Sequence, residues 1–283
     1  MAYCPVLKWV NQMRNARTRS AASAFKKRIP IVGTLRWVNK GMRAVTSKTH
    51  QAQFIVEWGV DNPEYFDHFL DQHYKWKVSR ESFPWERGVL SSLALKPKAK
   101  VLDLCCGDGF NSYHFYSLRA ESVTAIDFDA NAIQWAKRNF KAENLEYIVG
   151  DIRTSIPDGP FDNIIWDAAV EHFTEDEIIE IMKKITSALS MDGTLSGYTV
   201  AEPDHGGKHL HQHEYEFESK EDLARFLTPY FNNVHVFSTV YPSRTNLYFY
   251  ASNSQLPFSR DWNLYLSNQE SQFSKKSVVA DSN

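Results

Sequence analysis

The chain is poor in cysteine, in long apolar runs and, over its first 56 residues, in acids. Three cysteines, Cys4, Cys105 and Cys106, two of them adjacent, leave no material for a disulfide framework. That excludes the stapled secreted domains and points to a reducing compartment, so a cytoplasmic location is expected. No apolar stretch reaches the ~18 residues that read as a membrane-crossing helix. The N-terminus also lacks the compact apolar segment and small-residue cleavage site of a secretory signal. Between Met1 and Val56 there is no Asp or Glu; the first acid is Glu57.

What is present instead is a divided charge. Eleven of the 32 Lys and Arg lie between Lys8 and Lys48, which leaves 21 against 34 acids in the remainder, although the overall balance is only −2. The asymmetry describes a basic arm on an acidic body. Leu7, Trp9, Val10, Trp37 and Val38 could anchor the arm on an anionic membrane surface. An organellar transit peptide and a solvated pair of basic helices packed on the body are the other readings. Apolar residues make up 43% and charged residues 23%, as in a soluble protein with one sizeable core plus an appendage.

The pattern divides the chain into four segments: a basic arm over 1–56, an aromatic-rich helical segment over 57–98, an alternating strand–helix body over 99–252, and a polar tail over 253–283. In the second segment Phe66, Phe69, Leu70, His73 and Tyr74 recur near helical spacing; Tyr65, Tyr74 and Trp76 are placed to form a lid. In the body, strands are expected over 100–104, 122–126, 145–149, 161–166, 193–200, 234–239 and 246–251. Helices are expected over 110–119 and 131–140, after Thr174 with Glu177 as its capping-box partner, and after Ser219. Such alternation builds an open α/β sheet, mostly parallel, with helices on both faces. The tail lacks periodicity and is expected to fray.

Residues 100–109, KVLDLCCGDG, hold the densest signal: an apolar run ending in an acid, then small residues and glycines. This is a buried parallel strand turning tightly beneath a nucleoside-type ligand. Asp103, Gly107 and Gly109 fall at the spacing of an acid-x-Gly-x-Gly-x-Gly signature, with Cys105 where the first glycine usually stands. The stretch resembles the class I S-adenosylmethionine (SAM) dependent methyltransferases, and the likeness extends over roughly residues 85–252. It implies a Rossmann-like seven-stranded sheet with an antiparallel last strand, preceded here by an N-terminal helical extension. It also implies SAM as cofactor and S-adenosylhomocysteine as product. Asp103 would meet the ligand's ammonium, Cys105, Gly107 and Gly109 would form the turn, and Asp127, with Phe128 beside it, would take the ribose hydroxyls. Asp151 would face the adenine amino group while Ile152 packs the ring. A nicotinamide dehydrogenase is disfavoured, because the third glycine of its G-x-G-x-x-G fingerprint, counted from Gly107, is Ser112.

After the fourth strand, IIWDAAVEHF places His172 as a candidate base, with Asp167 or Glu171 to orient it. Bracing of the following helix by Glu171 and His172 is the plainer alternative. Some relatives carry E-x-x-E-H here and bind a divalent cation, but Ala168 replaces the first glutamate, so no metal is expected. The stretch Glu202–Glu218 adds His205, His209, His211 and His213. The last three alternate and would share one face of an extended segment, where a metal site with Asp204 or Glu214 adding oxygen ligands is one reading and a solvated histidine loop another. The family likeness favours His213, in HEYEF, as a residue that lines the acceptor pocket or orients its loop. Gly206 and Gly207 would let that loop close.

The resulting expectation is a methyltransferase acting on an O or N atom of a small molecule, a sugar or glycan precursor, or a lipid-linked intermediate. Nucleic-acid methylation is the alternative within the same chemistry. It is disfavoured by the acidic body and by the missing N/D-P-P-Y/F segment. A non-catalytic scaffold at a membrane is a third reading.

Overall fold

The strands expected between residues 99 and 252 all appear in the computed structural model, which describes residues 31–58, 68–201, 212–242, 244–256 and 271–274. They are β1 (Lys100–Leu104), β2 (Ser122–Asp127), β3 (Leu145–Val149), β4 (Phe161–Asp167), β5 (Leu189–Ala201), β6 (Asn233–Tyr241) and β7 (Arg244–Ser252). With β8 (Ser271–Ser274), the sheet order is β3-β2-β1-β4-β5-β7-β6-β8. Neighbours from β3 to β5 pair in parallel, whereas β7 runs antiparallel between β5 and β6. After β1 the chain first builds outward through β2 and β3, then returns to build β4 and β5 on the other side. The reversal opens a crevice above the carboxyl ends of β1 and β4, where ligands bind in sheets of this kind.

The elements depart from the sequence pattern at three places. β5 begins at Leu189, directly after the preceding helix, and not at Gly193. The helix expected over 110–119 is one π-helical turn, Ser112–Tyr116, which puts both Ser112 and Tyr116 in the interior. The tail supplies an eighth strand, β8 (Ser271–Ser274), antiparallel to β6, where fraying was expected. The remaining tail residues beyond Leu256, with Tyr65 of the lid and His205, His209 and His211, lie outside the described residues.

Helices α1 (Ile31–Trp58), α2 (His68–Ser79) and α3 (Phe83–Leu93) precede the sheet; α4 (Ala130–Asn139), α5 (Glu175–Ala188) and α6 (Lys220–Leu227) belong to it. The chain divides into two units, residues 1–53 and 54–283. α1 exposes Leu35, Val38, Met42, Val45 and Val56 at spacings that share one helical face. In the second unit, Asp129 caps α4 through Asn131, and Thr174 and Glu177 form the reciprocal capping box of α5. Ile178, Ile181, Met182 and Ile185 of α5 are buried, as their spacing predicts, each contributing about 1.5–3 kcal/mol by burial.

α3 is fixed against the sheet by polar and apolar contacts together. The Glu86 carboxylate accepts from Thr239 Oγ1 at 2.5 Å, Tyr241 Oη at 2.6 Å and Tyr248 Oη at 2.7 Å. A Cβ at Gly88 would fall 2.3 Å from the Phe115 ring, so the helix backbone lies directly on that side chain. Trp85 packs edge-on against Phe110 and Phe115. This rigid seating brings Arg87 to the mouth of the crevice.

Candidate cofactor and acceptor site

A cavity of about 300 Å³ occupies the crevice, and nearly every cofactor residue expected from the sequence lines it: Asp103, Cys105, Gly107, Asp127, Phe128, Asp151 and Ile152. Gly109 is outside the lining and acts through the turn itself. Its φ is +76°, and a Cβ there would fall 2.5 Å from the Tyr147 ring. Gly107 has φ +54°, and Cys105, where a glycine was expected, adopts φ +57°. The left-handed conformation favours glycine, and a non-glycine residue pays on the order of 1 kcal/mol for it. Burial pushes the thiols of Cys105 and Cys106 well above their usual range, and neighbouring carboxylates add to the effect; neither is a thiolate nucleophile.

Asp127 closes the turn from β2. Its Oδ2 accepts from Gly107 N at 2.8 Å and its Oδ1 from Asp129 N at 2.9 Å, so the carboxylate is held rigidly at the cavity wall. Asp103 is buried and accepts from Ser112 Oγ. Burial pushes its carboxyl up to about 7, with Asp167 and Asp127 adding in the same direction against the Ser112 bond. Phe128, 55% exposed, offers a ring face at the rim. Asp151 lines the cavity while pairing with Arg153 at 2.8 Å, and that hydrogen bond holds its carboxyl below the usual range. It also accepts from Arg153 N, as a turn residue does.

A polar network on the opposite wall was not foreseen from the sequence. Arg87 Nε pairs with Asp167 Oδ2 at 3.4 Å, and Asn111 Nδ2 donates to the same oxygen at 3.1 Å. Arg87 Nη2 lies 3.1 Å from His68 Nε2, and His68 Nδ1 lies 2.9 Å from Asp108 Oδ1. Arginine can only donate, so His68 Nε2 accepts. His68 also stacks on Phe110, with centroids 5.1 Å apart. Nothing in α2 or α3 carries a motif. Only the fold brings His68 to Asp108, 40 positions later, and Arg87 to Asp167, 80 positions later.

The side expected to face the acceptor is built by the 3₁₀ turn Val170–His172 after β4 and by the segment that returns at Gln212. His172 lines the cavity, as does Gln212. The hydrogen-bond partner of His172 corrects the expectation. Its Nδ1 lies 3.2 Å from the Gln212 carbonyl and is oriented neither by Asp167 nor by Glu171. Asp167 is engaged by Arg87 and Asn111, while Glu171 Oε2 accepts from Thr199 Oγ1 at 2.9 Å. His213 is buried behind His172, ring centroids 5.1 Å apart, with Nδ1 3.0 Å from Glu216 Oε1. The structure thus brings three of the four expected acceptor-side residues, Glu171, His172 and His213, into one cluster, and places Asp167 in the Arg87 network.

The chemistry of this donor set fits an adenosyl-methionine ligand. A carboxylate stands at the tip of β2 for hydroxyls, a buried acid at β1 for an ammonium, apolar surfaces at Phe128 and Ile152 for a ring, and a turn without Cβ at Gly107 for close approach.

Comparison with known proteins agrees. A family model described as a methyltransferase domain matches residues 101–193. Over those residues the chain is similar to methyltransferase domains. It is 31% identical over 103 residues to a ribosomal protein L11 methyltransferase of Thermosipho africanus, covering 36% of this chain and 37% of that protein. It is 24% identical over 117 residues to a 2-phytyl-1,4-naphtoquinone methyltransferase of Trichormus variabilis, covering 41% and 51%. The chain therefore matches about half or less of the length of these curated relatives. A crystal structure of a Pyrococcus horikoshii protein shares the fold, with TM-score 0.51 and 23% identity over 69% of this chain and 98% of the other.

Proposed function

We propose that this chain transfers a methyl group from SAM to an oxygen or nitrogen atom of a small-molecule acceptor, with a sugar, glycan precursor or lipid-linked intermediate as the leading class. One observation carries the reading: the cofactor residues of β1 and β2 and the imidazole of His172 line one and the same cavity. Bound SAM supplies a methyl group already activated on a sulfonium. The residues of the chain then have to align the acceptor, exclude water and manage its proton.

In this reading Asp103 receives the ammonium, Asp127 the ribose hydroxyls, and Phe128 and Ile152 the adenine, with Asp151 at its edge. Arg87, half-buried beside Asp167, carries the positive charge that meets a carboxylate or an anionic acceptor. His172, backed by Glu171 and His213, forms the centre that activates the acceptor. Incubating the full chain with radiolabelled SAM and fractionated extract tests the proposal. Label is expected in a small-molecule, glycan or lipid pool; label confined to nucleic acid or protein, or to nothing, contradicts it.

The basic arm supports a peripheral association with anionic membranes. The apolar stripe of α1 is exposed, and Arg36, Lys40, Arg43 and Lys48 lie on the same helix without an acid before Glu57. Full-length protein should sediment with phosphatidylserine vesicles at low salt and be released at high salt. Equal sedimentation with neutral vesicles would remove the electrostatic part of this reading.

A further inference from the structure

Glu171, His172 and His213 each offer one ligand atom, and these atoms lie within 4.8 Å of one another. We propose that they form a binding site for a divalent metal ion of the zinc class, on the acceptor side of the cavity.

The arrangement is built rather than accidental. Glu171 and His213 are 4% and 1% exposed. The two segments that carry the trio are joined through the backbone, because Glu214 N and Tyr215 N both donate to the Glu171 carbonyl, at 2.9 and 3.1 Å. Each proposed ligand is also held at its other atom: His213 Nδ1 by Glu216, His172 Nδ1 by the Gln212 carbonyl, and Glu171 Oε2 by Thr199. Outer hydrogen bonds of this kind fix the tautomer and direction of metal-binding histidines and carboxylates.

Charge points the same way. A buried carboxylate is costly unless a cation meets it. Among the described residues no Lys or Arg forms an ion pair with Glu171. A divalent ion would neutralise Glu171 and offset the nearby charge of Glu216.

The donor set indicates the class of ion. Two imidazoles and one carboxylate suit zinc and its neighbours, whereas calcium and magnesium favour all-oxygen shells. Ligands at ~2.0–2.1 Å from a tetrahedral ion stand roughly 3.3 Å apart, so binding draws the trio together by up to about 1.5 Å. His172, only partly buried, has the room to make that movement. Three protein ligands leave a fourth position open, as in catalytic zinc sites. Because His172 and Gln212 line the cavity, that position faces the acceptor space.

The inference stands apart from methyl transfer, since metal uptake is read without cofactor. Cobalt(II) titrated into chelator-treated full-length protein should bind at one equivalent, give visible d–d bands and be displaced by zinc. His213→Gln, His172→Gln and Glu171→Gln should each weaken uptake at least tenfold. The Cys105→Ser/Cys106→Ser and His209→Asn/His211→Asn variants should leave the bands unchanged. Far-UV circular dichroism and SAM titration on every variant separate loss of the ligand from loss of the fold. No cobalt bands in folded protein, or bands untouched by the three ligand substitutions, would overturn the proposal. Cobalt binding without SAM binding would instead sink the methyltransferase reading and leave this one standing.

Discussion

Asp103 shows at single-residue scale how burial is turned to use. Its carboxyl, pushed up to about 7, holds a proton in the folded chain over a range where the unfolded chain has released it. The folded state therefore binds more protons, and the stability of the ligand-free protein should fall as pH rises from ~4 to ~7, then level off. Asp103→Asn should flatten that slope by roughly a few kcal/mol in urea titrations; an unchanged slope would show that Asp103 is not its source. The same acid predicts the pH dependence of cofactor binding. An ammonium prefers the ionised carboxylate, and the α-amino group stays charged below its own pKa of ~7.7–8.0. SAM affinity should therefore rise roughly tenfold from pH ~5.5 to ~7, and Asp103→Asn should abolish the rise. Cys105 tests the turn. With φ +57°, it should tolerate glycine with a change under ~1 kcal/mol, whereas the β-branched Cys105→Val should cost about 2 kcal/mol or more in thermal unfolding.

At the scale of elements, the sequence was most legible where one local rule decided the outcome. The capping box of Thr174 and Glu177 was readable because both partners lie within one turn. Thr174→Ala should cost ~1 kcal/mol of stability, read as a lower urea midpoint at unchanged m-value; no shift would mean the box is ornamental. β1 was readable to the residue because its apolar run ends in an acid and a glycine turn. The π-helical turn was not. Its width follows from Ser112 and Tyr116 both reaching the interior, a tertiary demand that no residue spacing announces. Nor was the role of Glu86, whose three hydroxyl partners lie about 150 or more positions downstream. Glu86→Gln keeps the shape but loses the charge-assisted bonds, and should lower the melting temperature more than Glu121→Gln on the exposed surface. Equal shifts would show that α3 is held by packing alone.

At the scale of the described molecule, the parallel half of the sheet places a cavity, proposed to hold the cofactor, where strand order reverses, while the turn after β4 and the segment returning at Gln212 bring the proposed acceptor centre to its lining. The cofactor half could be read from sequence because its residues follow one another at strand ends in chain order. On the other side Glu171, His172 and His213 were named from the sequence, but not that they meet, because Glu171 and His213 are 42 positions apart and their segments are joined through backbone bonds. Asp167 stood next to His172 in the sequence reading, yet Arg87 claims it in space. The central claim is that this cavity holds SAM, and calorimetric titration of the full-length chain with SAM tests it most directly. One equivalent should bind, Asp127→Ala should weaken binding at least tenfold, and S-adenosylhomocysteine should compete. Absence of binding by folded protein, or binding indifferent to Asp127→Ala, would contradict the account.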